Sequence, residues 1–159
     1  MKTSVGIICY RVNKNNEIEF FVGHPGGPFW TRKDIWMFFK GQVEETDSSL
    51  LSTAIREFNE ETGIDLSNID ESDFCYLGEI VQRSKKRVHA YCIKYNFDES
   101  NCQSNLTTIE YPPKSGEMIE VHEIDSYSWM TFDVLKNKTL EAHLPFYEKI
   151  LKTTKQNEI

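Results

Sequence analysis

No apolar stretch of this sequence approaches the length of a membrane-spanning helix, and no repeat or low-complexity linker divides it. One domain over residues 1–159 is therefore the expectation, with no membrane among its partners. Basic charge is also scarce. Lys and Arg number 18 against 25 Asp and Glu, a formal net charge of −7. Such a chain is not drawn to a nucleic-acid polymer, and a small anionic substrate would need a local basic patch or bound cations. The four cysteines, Cys9, Cys75, Cys92 and Cys102, are widely spaced and form no C-x-x-C pair. Reduced thiols in a cytoplasmic protein are the expected reading. His24, His89, His122 and His143 show no metal-ligand spacing and receive no catalytic role. The first apolar run is broken by Arg11 and by Asn13 to Asn16, which suits a strand and turn better than a signal peptide.

What is present reads as alternating strands and helices. Val5–Tyr10 and Ile18–Val22 flank the Asn13–Asn16 turn, and the first of these strands looks buried on both faces. His24-Pro25-Gly26-Gly27-Pro28 must be a loop, and the apolar run Trp36–Phe39 leads into a glycine turn, the loop that opens with Lys40-Gly41. From about Ser49 to Thr62 the periodicity is helical, and Gly63 is a C-terminal stop. Leu51, Ile55 and Phe58 share one face of that helix, with Ala54 and Thr62 at its margins. Phe74–Gln82 and Val88–Phe97 read as strands joined by the basic turn 83–87. Asp98–Glu117 is polar and reads as a long surface loop whose length hints at shaping a substrate. Tyr127–Met130 reads as a short last strand, and Leu140–Leu151 as a closing amphipathic helix.

The chemistry is concentrated on the first helix. Glu57, Glu60 and Glu61 stand at i, i+3 and i+4, so their carboxylates project from neighbouring points and repel one another unless a cation neutralises them. Hard carboxylate oxygens are what Mg²⁺ or Mn²⁺ prefers. Arg56 can reach Glu60 one turn on and orient it.

Residues 41–64, GQVEETDSSLLSTAIREFNEETGI, resemble the Nudix box, whose pattern is G-x5-E-x7-R-E-U-x-E-E-x-G-U with U aliphatic. Phe58 stands where an aliphatic residue is usual, and the interval from Gly41 to Arg56 is one residue longer than the pattern. The early carboxylate could accordingly be Glu44, Glu45 or Asp47. Gly23–Trp30 and Trp36–Gly41 are similar to a group of bacterial Nudix proteins described as predicted nucleoside-triphosphate pyrophosphohydrolases, in which W-x-x-P-K-G precedes the helix; Phe39 replaces that proline here. Ile119–Asp125 extends the likeness towards Trp129.

The resemblance implies an α/β/α sandwich around a mixed, curved β-sheet, in the α/β class, and a pyrophosphohydrolase that works with Mg²⁺ or Mn²⁺. It implies Glu57, Glu60 and Glu61 as metal ligands, with Arg56 beside them. It also implies a further carboxylate from outside the box, for which Glu123 is the first choice and Glu120 the second. Lys40, Gly41 and Arg32 are expected at the substrate's phosphates, and Trp30, Tyr91 and Tyr111 are candidates to stack on a base. The substrate expected is a dinucleoside polyphosphate or a nucleoside triphosphate, and the protein a monomer or homodimer. The rival is a Nudix-fold module that binds a nucleotide without cleaving it.

Overall fold

The computed structural model describes residues 2–157. Thr3–Val12 (β1) and Ile18–Pro25 (β2) form the expected antiparallel pair. Asn13 closes their turn by accepting from the backbone N–H groups of Asn15 and Glu17 at 2.9 and 3.0 Å, while Asn16 takes the left-handed conformation that this residue type tolerates. Phe39–Gln42 (β3) follows the apolar run, and Leu50–Thr62 (α1) the acidic loop. Cys75–Val81 (β4) and Arg87–Lys94 (β5) are the second hairpin. Beyond them come Leu106–Glu110 (β6), Met118–His122 (β7), Ile124–Thr131 (β8), Phe132–Leu135 (α2) and Leu144–Asn157 (α3).

The main sheet runs β4-β5-β1-β2-β8, with β3 joined to β1 beside β2. It is mixed because β1 and β5 run parallel while the other pairs are antiparallel. Strand alternation sorts two cores onto its faces. Val5, Ile7 and Cys9 of β1, with Phe21 of β2, face α1 through Leu51, Ala54 and Phe58. Ile8, Phe20 and Val22 face the other way, where Phe146, Tyr147 and Ile150 of α3 cover them. A strand covered on both faces must be apolar throughout, which is what the unbroken run of β1 signalled. The resulting architecture is the expected α/β sandwich with a mixed sheet. Among the described residues no helix is long and apolar enough to cross a membrane.

Four expectations change. His24 and Pro25, read as part of a loop, are the end of β2 and pair with β8 across a register shift. Lys40 and Gly41 do not open a turn; they lie within β3, opposite Gly6 and Val5 of β1. The supposed loop 98–117 holds β6, whose antiparallel partner β7 forms with it a separate two-stranded ribbon. Thr107, Ile109, Ile119 and Val121 share its half-buried face, and the residues between them are exposed, so only every second side chain had to be apolar. The closing helix is preceded by a short 3-10 turn at Glu141–His143 and runs past Leu151 to Asn157.

Candidate active site

Local chemistry fixes α1 at both ends. Ser49 accepts from the backbone N–H of Ser52 at 3.1 Å and the Ser52 hydroxyl accepts from Ser49 N–H at 3.0 Å, a reciprocal cap. Gly63 ends the helix at φ 79° and donates to the Asn59 carbonyl at 2.7 Å. Between the caps, Leu51, Ala54 and Phe58 form the buried stripe, and the next position on that stripe is Glu61, three residues beyond Phe58. Glu61 is accordingly only 9% exposed. The acidic cluster is thus not a single solvated face, because one of its members is turned inward.

Arg56 organises the rest. Its Nε and Nη2 donate to the two carboxylate oxygens of Asp47 at 3.1 and 3.0 Å, a planar fork. Nη1 donates to Glu57 at 2.9 Å and to Glu60 at 3.3 Å. Of the three early-loop acids, Asp47 is therefore the one engaged; Glu44 stands 3.9 Å from Nη1 and Glu45 is exposed. Asp47 also accepts from the Glu44 backbone N–H at 2.8 Å, which closes the lengthened loop on itself. Phe39 and Phe58, the two aromatic departures from the expected pattern, pack against each other edge to face with ring centres 5.6 Å apart. Each substitution supplies the other's neighbour.

Gly41 is required where it stands. A Cβ built on it would lie 1.9 Å from Cδ of Glu57, so the Glu57 carboxylate occupies the space that a side chain would fill.

A cleft of about 350 Å³ opens beside these groups. Lys40, Glu61 and Glu123 line one part, and Phe29, Trp30, Ile109 and Val121 another. Burial and the charges of Glu57 and Glu123 push the Glu61 carboxyl well above its usual range, against the pull of Lys40. Burial and Glu60 raise Glu57, and burial and Glu60 likewise raise Glu123. Burial and the neighbouring ammonium of Lys86 bring Lys40 down to about 8. Glu57, Glu61 and Glu123 thus each feel neighbouring carboxylates, and of these Glu61 and Glu123 line the cleft. Among the described residues no three His, Cys, Asp or Glu side chains converge closely enough to cage an ion by themselves.

A sequence model of the NUDIX domain matches residues 2–152, nearly the whole chain. The chain belongs to the Nudix family, the family of Nudix-type pyrophosphohydrolases. Solved structures agree in fold. The NUDIX domain of Shewanella oneidensis NrtR complexed with ADP ribose superposes with a TM-score of 0.63 at 12% identity, over 99% of this chain and 88% of that one. An Ap4A hydrolase of C. elegans in a binary complex gives 0.61 at 17% identity, over 97% and 98%. The MutT protein of Methanosarcina mazei Go1 gives 0.58 at 19%, over 97% and 95%. No curated protein matches at the same stringency.

In this Nudix protein the structure brings Lys40, Glu61 and Glu123 to the cleft, with Gly41 behind Glu57. Glu120 faces outward on the ribbon and is exposed. Arg32 is exposed on the loop that carries Trp30 and does not line the cleft. Tyr91 does not line it either. The Tyr91 ring packs on the α1 face against Tyr76 of edge strand β4, 5.2 Å between centres, whereas the cleft opens beside β2, β3 and the ribbon. Sequence reasoning passed over Phe29, Ile109 and Val121; the period-two pattern of Leu106–Glu110 and Met118–His122 was the available signal for the last two.

The Asp47–Arg56 fork has a consequence for stability. The guanidinium holds the Asp47 carboxyl far below the usual carboxylate range, chiefly by direct hydrogen bonding. A depressed carboxylate stabilises the fold above the unfolded-state value of about 3.9 and stops doing so as pH falls through its lower folded-state value. Asp47→Asn is expected to cost about 2 kcal/mol at pH 7 and to narrow the gap in stability between neutral and strongly acid solution, as urea unfolding at each pH would show.

Proposed function

We propose that this protein is a divalent-metal-dependent hydrolase of a phosphoanhydride bond in a nucleoside diphosphate-linked compound, either a dinucleoside polyphosphate or a nucleoside triphosphate. The observation that carries the reading is the buried Glu61, which lines the cleft with Glu123 and Lys40 and whose proton affinity is raised by burial and by the charges of Glu57, Glu123 and Glu60.

Hard oxygen donors, mutually repelling and partly desolvated, fit Mg²⁺ or Mn²⁺. Glu57, Glu60, Glu61 and Glu123 are the carboxylates that would supply the ion's protein ligands, and when bound the ion would neutralise phosphate charge and make a water nucleophilic. The chain's own part is positional and electrostatic. Arg56 fixes the carboxylates of Glu57 and Glu60 from one guanidinium nitrogen. The absence of a side chain at Gly41 leaves Glu57 its place. Lys40 offers a point charge to a phosphate, whose arrival would strengthen the hold on its proton. Glu123, with its raised pKa, is suited to accept a proton from water.

Both named neighbours with nucleotide chemistry support the substrate class, one complexed with ADP ribose and one an Ap4A hydrolase. Release of phosphate-containing products from dinucleoside polyphosphates, nucleoside triphosphates and ADP-sugars, with and without Mg²⁺ or Mn²⁺, tests the proposal. Lys40→Gln is expected to raise KM about tenfold and change kcat little. Nucleotide binding with no turnover under either metal would favour the non-catalytic module instead.

A further inference from the structure

Both nitrogens of the His24 ring meet acceptors. Nδ1 lies 2.8 Å from Oδ1 of Asp125 in β8, and Nε2 lies 2.6 Å from the carbonyl oxygen of Lys33. A carbonyl has no proton to give, and an ionised carboxylate has none either. Each ring nitrogen must therefore donate, and only imidazolium carries both protons. His24 is buried, and the charges that face it are Asp125 from β8 and Asp34 from the adjoining loop. Asp34 is itself paired with Lys138 and accepts the Trp36 indole N–H at 2.7 Å. The Trp36 ring meets the imidazole edge to face, 5.4 Å between centres. Burial opposes the charge on His24, but the Lys33 carbonyl and the Asp125 carboxylate outweigh it and hold the ring's pKa above its usual value.

The segment strapped by this ring walls the cleft. Gly23 and Met37 exchange backbone hydrogen bonds of 2.9 and 3.0 Å, sealing the loop between them, and Gly26 N–H donates to the Glu123 carbonyl at 2.8 Å. Gly26 can sit so close only because it lacks a Cβ, which would fall 1.9 Å from the His122 carbonyl oxygen. From this loop Phe29 and Trp30 face the ribbon across the cleft, and Phe29 packs edge-on against Tyr111, 5.5 Å between centres.

We propose that His24 is a positioning residue: as imidazolium it ties the loop of residues 25–33 to β8 and so holds the Phe29–Trp30 wall against a bound substrate. Loss of one proton leaves one of its two partners without a donor and loosens the wall. The strap is complete below the ring's pKa and released as pH rises through it. The inference rests on the reading of the cleft as the substrate site.

Nitrogen-15 NMR of the histidine rings in the 159-residue chain tests it first. The His24 ring is expected to lose its second proton above the free value of about 6.5, with the Trp30 indole N–H signal shifting at the same midpoint as the ring. Asp125→Asn keeps an acceptor oxygen without the charge, and should move both midpoints down by about one pH unit. With a turned-over substrate from the panel, His24→Phe should raise KM about tenfold with kcat within about twofold, and abolish the alkaline rise in KM that follows the ring's titration. A ring that titrates at or below the free value of about 6.5, or a Trp30 signal indifferent to it, would overturn the strap even if His24→Phe fails to fold. Absence of turnover on every substrate would count against the hydrolase reading alone, and the two NMR midpoints would still decide this one.

Discussion

Glu60→Gln is expected to leave the fold intact and to remove about a hundredfold or more of the metal-dependent turnover. The Glu60 side chain is 41% exposed and makes one bond, from Arg56 Nη1 at 3.3 Å, which the amide oxygen of Gln can still accept. What the substitution removes is the charge. Its effect on stability should be small and can even be favourable, because the repulsion between Glu57 and Glu60 goes with it. A melting curve close to the parent's, beside a kcat/KM reduced about a hundredfold at saturating Mg²⁺, is the expected pair of results. A near-normal rate would remove Glu60 from the metal site.

Gly41→Ala should produce a comparable loss by a different route. The added methyl would occupy the position of the Glu57 carboxyl group, 1.9 Å from its Cδ, so that carboxylate must swing away. Glu57 is 13% exposed and held at 2.9 Å by Arg56, so the swing breaks that bond and misplaces one of four coupled acids. Displacement of about an ångström at a reacting centre can cost about a hundredfold in rate. Because the obstacle is the end of a side chain and not backbone, β3 should keep its pairing with β1, and thermal stability should change little. Steady-state kinetics together with a thermal melt separate this outcome from unfolding. A variant that loses stability and rate in parallel would show that Gly41 serves the sheet and not the carboxylate.

The parts of this protein legible in its sequence are those decided locally. The caps of α1 are set by Ser49, Ser52 and Gly63, within the helix's own span. The apolar run of β1 announced a strand buried on two faces, because each face needs its own alternate residues. The ribbon β6–β7 was missed because only one of its faces is covered, so its composition is half polar and the prolines between its strands strengthen the impression of a loop. The inward turn of Glu61 was readable from the spacing that extends the Leu51, Ala54 and Phe58 stripe, yet its charge argued for solvent.

Pairings across the chain were not readable at all. The choice of Asp47 over Glu44 and Glu45 depends on where Arg56 lands relative to a loop one residue longer than usual. Phe39 and Phe58 looked like two separate irregularities until they proved to be in contact. His24 showed no motif because its partners are nine and 101 residues away, and one of them is a backbone carbonyl.

The central claim is that turnover depends on a cation held by the carboxylates of this cleft. Titrating Mn²⁺ into the metal-free protein, with bound ion followed by electron paramagnetic resonance and hydrolysis measured on the same samples, tests it most directly. Binding that saturates over the range in which activity appears, and that weakens in Glu60→Gln, is the predicted result. Hydrolysis that proceeds at the same rate in excess EDTA would contradict it.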